Sequence, residues 1–166
     1  MTIQVDSREK ARAITKILAE FERQQVKHYI SKLYIGDYMS LDNPRVIVDR
    51  KQNLSELCGN VCQQHERFRN ELIRAQENGI KLIILCENGK GIETLNDLVF
   101  WENPRSKKRV KKNGVWTTVE TKAMKGDVLM KILTTLECKY GCKFLFCSKE
   151  QTGRKIIEIL GEGYEN

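Results

Sequence analysis

Five consecutive apolar residues, Leu82 to Cys86, place the strongest constraint on the fold. Neighbouring side chains of a strand point to opposite faces of a sheet, so this segment is apolar on both faces. Strands of this kind lie in the middle of a sheet that is covered on both sides. Apolar patterns with the period of a helix precede and follow the segment, and further strand patterns alternate with them. The sequence therefore predicts an α/β fold, with a three-layer α/β/α arrangement around a central mixed sheet.

The length and composition fit one globular domain that spans residues 1–166. With 40% hydrophobic and 31% charged residues, the chain has the ordinary make-up of a soluble protein. No apolar run approaches the roughly 18–20 residues of a membrane span, and the first residues lack the pattern of a signal peptide. We expect an intracellular, cytoplasmic protein that has no membrane partner.

Four helices are predicted from apolar spacing and capping residues, the last of them capped by Ser148-x-x-Gln151. The first helix is expected to be capped by Asp6 or Ser7. One long helix is expected over residues 53–78, and it opens with an Asn-x-x-Glu capping pattern. A third is expected to be capped by Asp127 and to turn Val128 inward.

Positive charge is concentrated in one segment, residues 101–125. Its eight basic and two acidic side chains account for +6 of the net charge of +7. Asn113-Gly114 predicts a β-hairpin within this insertion. A basic patch of this kind indicates binding to a polyanion, and the alternative is a solvated loop. The residues predicted to bind DNA here are Lys107, Lys108, Arg109, Lys111, Lys112 and Trp116. Trp116 could stack on an unpaired base or could pack the hairpin onto the domain.

The six cysteines include two pairs with the spacing Cys-x3-Cys, at 58/62 and 138/142. Such pairs raise the alternative of a zinc site. Both pairs lie on or at the end of predicted helices, and small buried thiols account for most of the cysteines. We therefore expect free thiols and no structural zinc.

The strand pattern Val46 to Lys51 ends in an acid and a lysine. With a period of two, Asp49 and Lys51 emerge on one face while Arg50 points to the other. A carboxylate that can hold a divalent cation, beside an ammonium group, is what a metal-dependent nuclease requires. Taken alone, the segment is more typical of a strand that runs into a solvated charged loop.

A turn signal at residues 42–44 joins this strand to an earlier one. If the hairpin turns about Asn43, Asp37 lies directly across from Asp49. Opposed side chains have Cβ atoms about 4.5–5.5 Å apart. Two carboxylates at that distance repel each other unless a cation lies between them. The pairing depends on this register, because a shift of one residue would abolish it.

Four segments in this order resemble the nuclease domain of the XPF family of structure-selective DNA endonucleases. They are Val5-Asp6-Ser7-Arg8-Glu9, Gly36-Asp37-Tyr38, Val48-Asp49-Arg50-Lys51 and Arg67-Phe68-Arg69-Asn70-Glu71-Leu72. The resemblance covers essentially the whole chain, with the basic insertion as an atypical feature. It implies a restriction-endonuclease-like fold. Two departures stand out: Asp49 replaces the usual glutamate, and Ser55, beside Glu56, stands where an outer acid often lies. The resemblance is closest to small single-domain members of phage or prophage type.

The resemblance also implies roles for individual residues. Asp37, Asp49 and Lys51 resemble the catalytic set, with Arg50 beside them. The implied metal ligands are Asp37, Asp49, Asp6 and Glu9, and the implied cofactor is Mg²⁺ or Mn²⁺. Arg8 and Arg50 resemble phosphate-facing arginines, and Arg67 is expected to bind DNA.

The implied function is that of a metal-dependent DNA endonuclease which hydrolyses phosphodiester bonds. Selectivity for branched DNA or single/double-strand junctions, and a role in repair, recombination or replication, would follow from the family. The resemblance also implies a homodimer formed through the nuclease domain. The alternative is a non-catalytic DNA-binding or scaffold domain of the same fold.

Overall fold

The computed structural model describes residues 1–88 and 91–162. Its elements in chain order are β1 (Thr2–Val5), α1 (Ala11–Arg23), β2 (Lys27–Ile30), β3 (Tyr38–Ser40), β4 (Val46–Lys51), α2 (Leu54–Val61), α3 (His65–Glu77), β5 (Lys81–Glu87), β6 (Lys107–Lys112), β7 (Val115–Glu120), α4 (Gly126–Tyr140), β8 (Lys143–Cys147) and α5 (Thr152–Glu162). Two 3-10 helices, Leu95–Phe100 and Pro104–Ser106, lie between β5 and β6.

Six strands form one mixed sheet in the order β2-β1-β3-β4-β5-β8. β3 pairs antiparallel with β1 and β4, while the β1–β2, β4–β5 and β5–β8 pairs are parallel. The predicted central strand is observed as β5, between β4 and β8, and Leu82 to Cys86 are fully buried. The predicted fold class is confirmed.

Two apolar clusters cover the two faces of this sheet. On one face, α1 and α5 pack their buried side chains against Val46, Val48, Ile83 and Leu85. On the other face, α2, α3 and α4 pack against Ile47, Leu82, Ile84 and Cys86. The alternation within β4 and β5 therefore assigns successive residues to different helical layers, which gives the three-layer α/β/α arrangement.

The single long helix predicted over residues 53–78 is two helices. α2 ends at Val61 and α3 begins at His65, because Cys62 leaves the helical region with φ −106° and ψ −84°. Both helices bury an apolar stripe against the sheet. The helical spacing of apolar residues therefore runs on from α2 into α3, and the sequence pattern gives no indication of the break between them. The predicted start at Asn53 is confirmed, since its side chain accepts a hydrogen bond from the Glu56 N–H.

Two other capping predictions are wrong. α1 begins at Ala11, and its N-cap Lys10 makes no side-chain capping bond. Asp6 and Ser7 lie earlier, in a tight turn where the Glu9 N–H donates to the Asp6 carbonyl. α4 begins one residue before Asp127, with Lys125 as N-cap, and Val128 is 43% exposed and does not face inward.

The predicted hairpin is confirmed as a separate two-stranded sheet. β6 and β7 pair antiparallel from Lys107↔Glu120 to Lys112↔Val115. Asn113 and Gly114 form the turn with φ values of 49° and 79°, the positive values that a type I′ turn requires at both central residues.

The cysteines are free thiols, and four of them are buried, namely Cys58, Cys86, Cys142 and Cys147. Burial raises the pKa of the Cys58 thiol to about 11, which favours the protonated form. Within residues 1–88 and 91–162, no group of three or more His, Cys, Asp or Glu side chains is arranged to hold a metal ion. No helix in the same ranges is long and apolar enough to cross a membrane.

Candidate active site

An open, strongly polar cleft lies where β3 begins and β4 ends, with α2 and α3 along one side. Its volume is about 200 Å³. Acidic and basic side chains both line the cleft. The lining residues are Arg8, Glu9, Gly36, Asp37, Asp49, Arg50, Lys51, Gln52, Glu56, Arg67 and Glu71. Seven of the eight residues that resemble the site of an XPF-type nuclease thus border one cleft, and Asp6 does not.

Asp37 lies directly before β3, next to Asp49 of the antiparallel strand β4. The observed pairs Tyr38↔Val48 and Met39↔Ile47 are in the register that the sequence predicts. The Asp37 N–H donates to the Val48 carbonyl at 2.8 Å, and Asp37 Oδ2 accepts from the Arg50 N–H at 2.8 Å. Burial, the charge of Asp49 and the charge of Glu9 together raise the pKa of Asp37 well above its usual range. The two carboxylates therefore share a site that resists a second negative charge.

Lys51 lies beside Asp49 on the same face of β4. Its Nζ is 2.8 Å from Asp49 Oδ2, which makes a short ion pair within the cluster. Burial alone would lower the pKa of Lys51, but the charge and proximity of Asp49 outweigh it and raise that pKa. Lys51 is therefore an ammonium ion at neutral pH, which suits it to stabilise negative charge rather than to accept a proton.

Arg50 points to the opposite face of the strand and is enclosed by acids. Its Nε and Nη2 donate to Glu9 at 2.8 and 2.9 Å, and Nη1 donates to Glu87 at 3.1 Å. Its side chain is only 1% exposed. The hydroxyl of Tyr38 also donates to Glu9, at 3.0 Å. Arg50 and Glu9 both line the cleft, and their charged groups are paired with each other.

Asp6 is buried behind the cleft, where it holds Arg8. Its Oδ2 accepts from Arg8 Nε at 2.6 Å, and its Oδ1 accepts from the Leu33 N–H at 3.3 Å. Arg8 Nη2 also donates to the Leu33 carbonyl at 3.0 Å. The Arg8 side chain nevertheless remains 55% exposed at the edge of the cleft. Asp6 is thus placed to orient Arg8 rather than to bind an ion in the cleft.

Glu71 is a cleft residue to which the sequence reasoning assigned no role. It lies on α3, and its carboxylate accepts from the Gly36 N–H at 3.2 Å. Burial, followed by the charge of Asp49, raises its pKa. Glu71 follows Arg67 by four residues, which places both side chains on one face of a helix. This spacing could have predicted that Glu71 lies in the cleft with Arg67. Glu56 also borders the cleft, while its carboxylate accepts from the Gln52 N–H at 2.7 Å.

A family model of the ERCC4 domain matches residues 5–160. The chain belongs to the ERCC4 domain family. This match confirms the resemblance to XPF-type nucleases. Domains of this family are nucleases, and they typically depend on a divalent metal ion.

Two solved structures share the fold of this ERCC4 domain. One is XPF from Aeropyrum pernix, with a TM-score of 0.66, 18% identity, and coverage of 100% of this chain and 66% of that one. The other is XPF from Aeropyrum pernix in complex with DNA, with a TM-score of 0.63, 19% identity, and coverage of 97% and 64%. The chain therefore spans slightly less than two thirds of each solved chain. No curated protein matches the sequence.

The carboxylates of this ERCC4 domain fit a hard divalent cation. Asp37 and Asp49 place carboxylate oxygens close together, and burial and the charge of Asp49 raise the pKa of Asp37, a repulsion that a cation would relieve. Mg²⁺ commonly binds to one or two carboxylates and keeps several waters. The predicted ligand set of Asp37, Asp49, Asp6 and Glu9 does not form a preformed cluster of three or more ligands in the part of the chain that the structure describes.

The predicted DNA-binding residues of the insertion are not in the cleft. Lys107, Lys108, Arg109, Lys111, Lys112 and Trp116 all lie on the hairpin of β6 and β7. Helix α2 separates the two regions. Glu56 and Asn60 face the cleft region, whereas Cys58 and Cys62 line a hollow with Arg105 and other residues at the base of the hairpin. Arg67, by contrast, borders the cleft itself.

Proposed function

We propose that this protein is a divalent-metal-dependent DNA endonuclease that hydrolyses phosphodiester bonds. The observation that carries the proposal is the cluster of Asp37, Asp49 and Lys51. Asp37 lies next to Asp49 at the end of β4, and the Lys51 ammonium group lies 2.8 Å from Asp49 Oδ2. Two adjacent carboxylates beside one ammonium group leave an excess of negative charge, which a divalent cation would neutralise.

The residues divide the work by chemistry. A Mg²⁺ or Mn²⁺ ion held by Asp37 and Asp49 would lower the pKa of a bound water and stabilise the leaving oxygen. Lys51, which is held in its charged form by Asp49, would donate to a phosphate oxygen as negative charge develops. Arg8 and Arg67, at the edge of the cleft, would bind the phosphates on either side.

Arg50 and Glu9 act in this proposal as a support for the cluster. The Arg50 N–H donates to Asp37 Oδ2, so the backbone of β4 orients that carboxylate. The Arg50 side chain ties the same point of β4 to Glu9 and Glu87. This network leaves the Asp37 oxygens little freedom, which is the pre-organisation that catalytic ligands require.

DNA is the proposed polyanion on three grounds. The domain belongs to a nuclease family, and one solved structure with its fold is described as XPF in complex with DNA. The hairpin also presents five basic side chains within the six residues of β6. Branched DNA or single/double-strand junctions are the proposed substrates, in repair, recombination or replication.

A cleavage panel tests the proposal. Nicked, flapped, forked and linear duplexes are incubated with the protein in Mg²⁺, Mn²⁺ or EDTA. We expect metal-dependent cutting that Asp37→Asn removes and that Asp42→Asn, an exposed carboxylate-to-amide control, leaves intact. Binding to DNA without cutting in either metal would overturn the catalytic proposal and favour the non-catalytic DNA-binding role.

A further inference from the structure

The hairpin of β6 and β7 presents an aromatic side chain to solvent. Trp116 is 58% exposed, and its ring is not among the partly buried side chains that pack on either core. β6 and β7 form a sheet of their own and do not join the six-stranded sheet. Trp116 therefore does not pack the hairpin onto the domain, and that alternative for its role is wrong.

The two faces of the hairpin differ in chemistry. Directly opposed residues share a face, so Lys107, Arg109 and Lys111 lie with Glu120, Thr118 and Trp116. Arg109 Cζ lies 5.6 Å and Lys111 Nζ 6.0 Å from the centroid of the Trp116 ring. The other face carries Lys108 and Lys112 with a valine stripe of Val110, Val115 and Val119. One face thus combines an exposed ring with adjacent cations.

This combination of groups fits unpaired nucleotides better than other polyanions. A single strand offers phosphates to the cations and the flat face of a base to the ring, and such stacking is tolerant of sequence. Bases within a duplex are stacked on each other and present only their edges. An acidic peptide would satisfy the cations but would leave the ring without a partner.

The position of the hairpin connects it to the cleft. Helix α2 lines the cleft with Glu56, and a hollow on α2 is lined jointly by Cys58, Cys62 and the hairpin base at Arg105 and Lys122. A helix with its side chains is about 10–12 Å across. Each hairpin strand has six residues and so extends about 20 Å. The hairpin therefore lies within reach of a strand that leaves a duplex held in the cleft.

We propose that the hairpin face formed by Arg109, Lys111 and Trp116 binds an unpaired segment of DNA, with a base stacked on Trp116. This deepens the proposed nuclease function, on which it rests, by assigning the unpaired arm of the substrate to a defined surface of the basic insertion. The cations near the ring bind the flanking phosphates, and the hairpin thereby holds the unpaired arm beside the cleft.

Binding is measured in EDTA, so that it does not depend on catalysis. The probes are an oligothymidylate of about 12 nucleotides, within the range of known single-strand site sizes, and a duplex of the same length. Trp101 is the other tryptophan and is partly buried in the core, so a Trp101→Phe protein reports the fluorescence of Trp116 alone. We expect the oligothymidylate to quench this fluorescence and the duplex to leave it nearly unchanged.

Two substitutions separate stacking from charge. Trp116→Ala is expected to weaken oligothymidylate binding about 5- to 150-fold and duplex binding little, while Trp116→Phe keeps most of the affinity. Because stacking does not release counterions, Trp116→Ala leaves the salt dependence unchanged. For the single strand, the logarithm of the binding constant falls linearly with the logarithm of the salt concentration. Replacing Lys107, Arg109 and Lys111 with alanine should make that slope about 2 less steep.

Several results would overturn the proposal: no quenching, equal losses for single strand and duplex in Trp116→Ala, or unchanged binding in that variant. Trp116 is exposed, so its variants should fold, which circular dichroism checks. The outcome is separable from the nuclease proposal. Cleavage without quenching rejects only the stacking face, and quenching without cleavage in Mg²⁺ or Mn²⁺ rejects only the nuclease.

Discussion

Arg50 and Glu9 form a two-point ion pair inside the domain, with Nε and Nη2 2.8 and 2.9 Å from the two carboxylate oxygens. The Arg50 side chain is 1% exposed and that of Glu9 is 10% exposed. The pair joins the end of β4 to the turn before α1. It therefore connects two segments that are distant in sequence and that both border the cleft.

Loss of this pair should destabilise the protein strongly. In Glu9→Gln an NH2 group replaces one of the two oxygens that accept from Arg50. The positive charge of the buried Arg50 guanidinium then lacks the negative charge of Glu9 beside it. We expect the free energy of unfolding to fall by about 3 kcal/mol, the lower end for a broken buried pair, because Glu87 remains. Urea denaturation measures it. Glu158→Gln, in an exposed pair with Arg154, should change it by less than about 1 kcal/mol. Equal effects of the two substitutions would refute the structural role of Glu9.

Asp37 should make the metal-free protein less stable as the pH rises. Burial, Asp49 and Glu9 raise its pKa, so the folded state binds its proton more tightly than the unfolded state does. The free energy of unfolding then falls as the pH rises from the usual carboxyl range, near pH 4, to the raised pKa. In EDTA at about pH 7 we expect Asp37→Asn to be more stable than wild type by about 0.5–2 kcal/mol, a common gain when a functional residue is replaced. Below the usual carboxyl pKa the two proteins should converge.

The control for that comparison is Asp42→Asn, which replaces a 71% exposed carboxylate that contacts only the N-terminal amine. Its effect on stability should be small at every pH. If Asp37→Asn were less stable than wild type at neutral pH without metal, burial and repulsion could not be the dominant influences on Asp37.

Glu71 is expected to contribute to metal affinity without being required for folding. Glu71→Gln keeps an oxygen for the Gly36 N–H but removes a negative charge near Asp49. In thermal melts with increasing Mg²⁺, the concentration that gives half of the stabilisation should rise about tenfold, as for other groups close to a metal. Glu66→Gln, an exposed acid on the same helix, should behave as wild type. The same Mg²⁺ dependence in Glu71→Gln and wild type would exclude Glu71 from the site.

Gly36 should not tolerate a side chain. Its φ is +62°, and an added Cβ would lie 2.5 Å from Ile47 Cγ2 and 3.0 Å from the Val48 carbonyl oxygen. Gly36→Ala should therefore lose about 2–5 kcal/mol, from the left-handed conformation and the clash combined. Gly141→Ala is matched in φ, at +67°, but meets nothing within 4 Å, so it should lose only about 1–2 kcal/mol. Chemical denaturation compares them, and equal losses would mean that β4 moves aside at no cost.

The sequence was informative where a period of two and a turn signal acted together. The β3–β4 register that opposes Asp37 and Asp49 follows from the apolar alternation of β4 and from the turn at residues 42–44. The register of the basic hairpin follows in the same way from Asn113-Gly114. In both cases the pattern is local, and the paired strands are close in sequence, so tertiary contacts had little to add.

The sequence was uninformative where a side chain chooses among partners that are distant in the chain. Asp6 and Glu9 were expected to be metal ligands, yet Asp6 binds Arg8 and Glu9 binds Arg50. Glu71 lies in the cleft because α3 packs against the sheet, and its spacing of four residues from Arg67 was the one sign of this in the sequence. The break at Cys62 was missed because the apolar stripes of α2 and α3 continue through it.

The central claim concerns the chemistry at Lys51, and a single-turnover rate tests it most directly. With protein in excess over an end-labelled flapped DNA in Mg²⁺, Lys51→Ala should cut about 10²- to 10⁴-fold more slowly than wild type. Its affinity for the same DNA in EDTA should change little, and Lys149→Ala, an exposed lysine control, should cut at the wild-type rate. If Lys51→Ala cuts as fast as wild type, the cluster of Asp37, Asp49 and Lys51 is not the catalytic site.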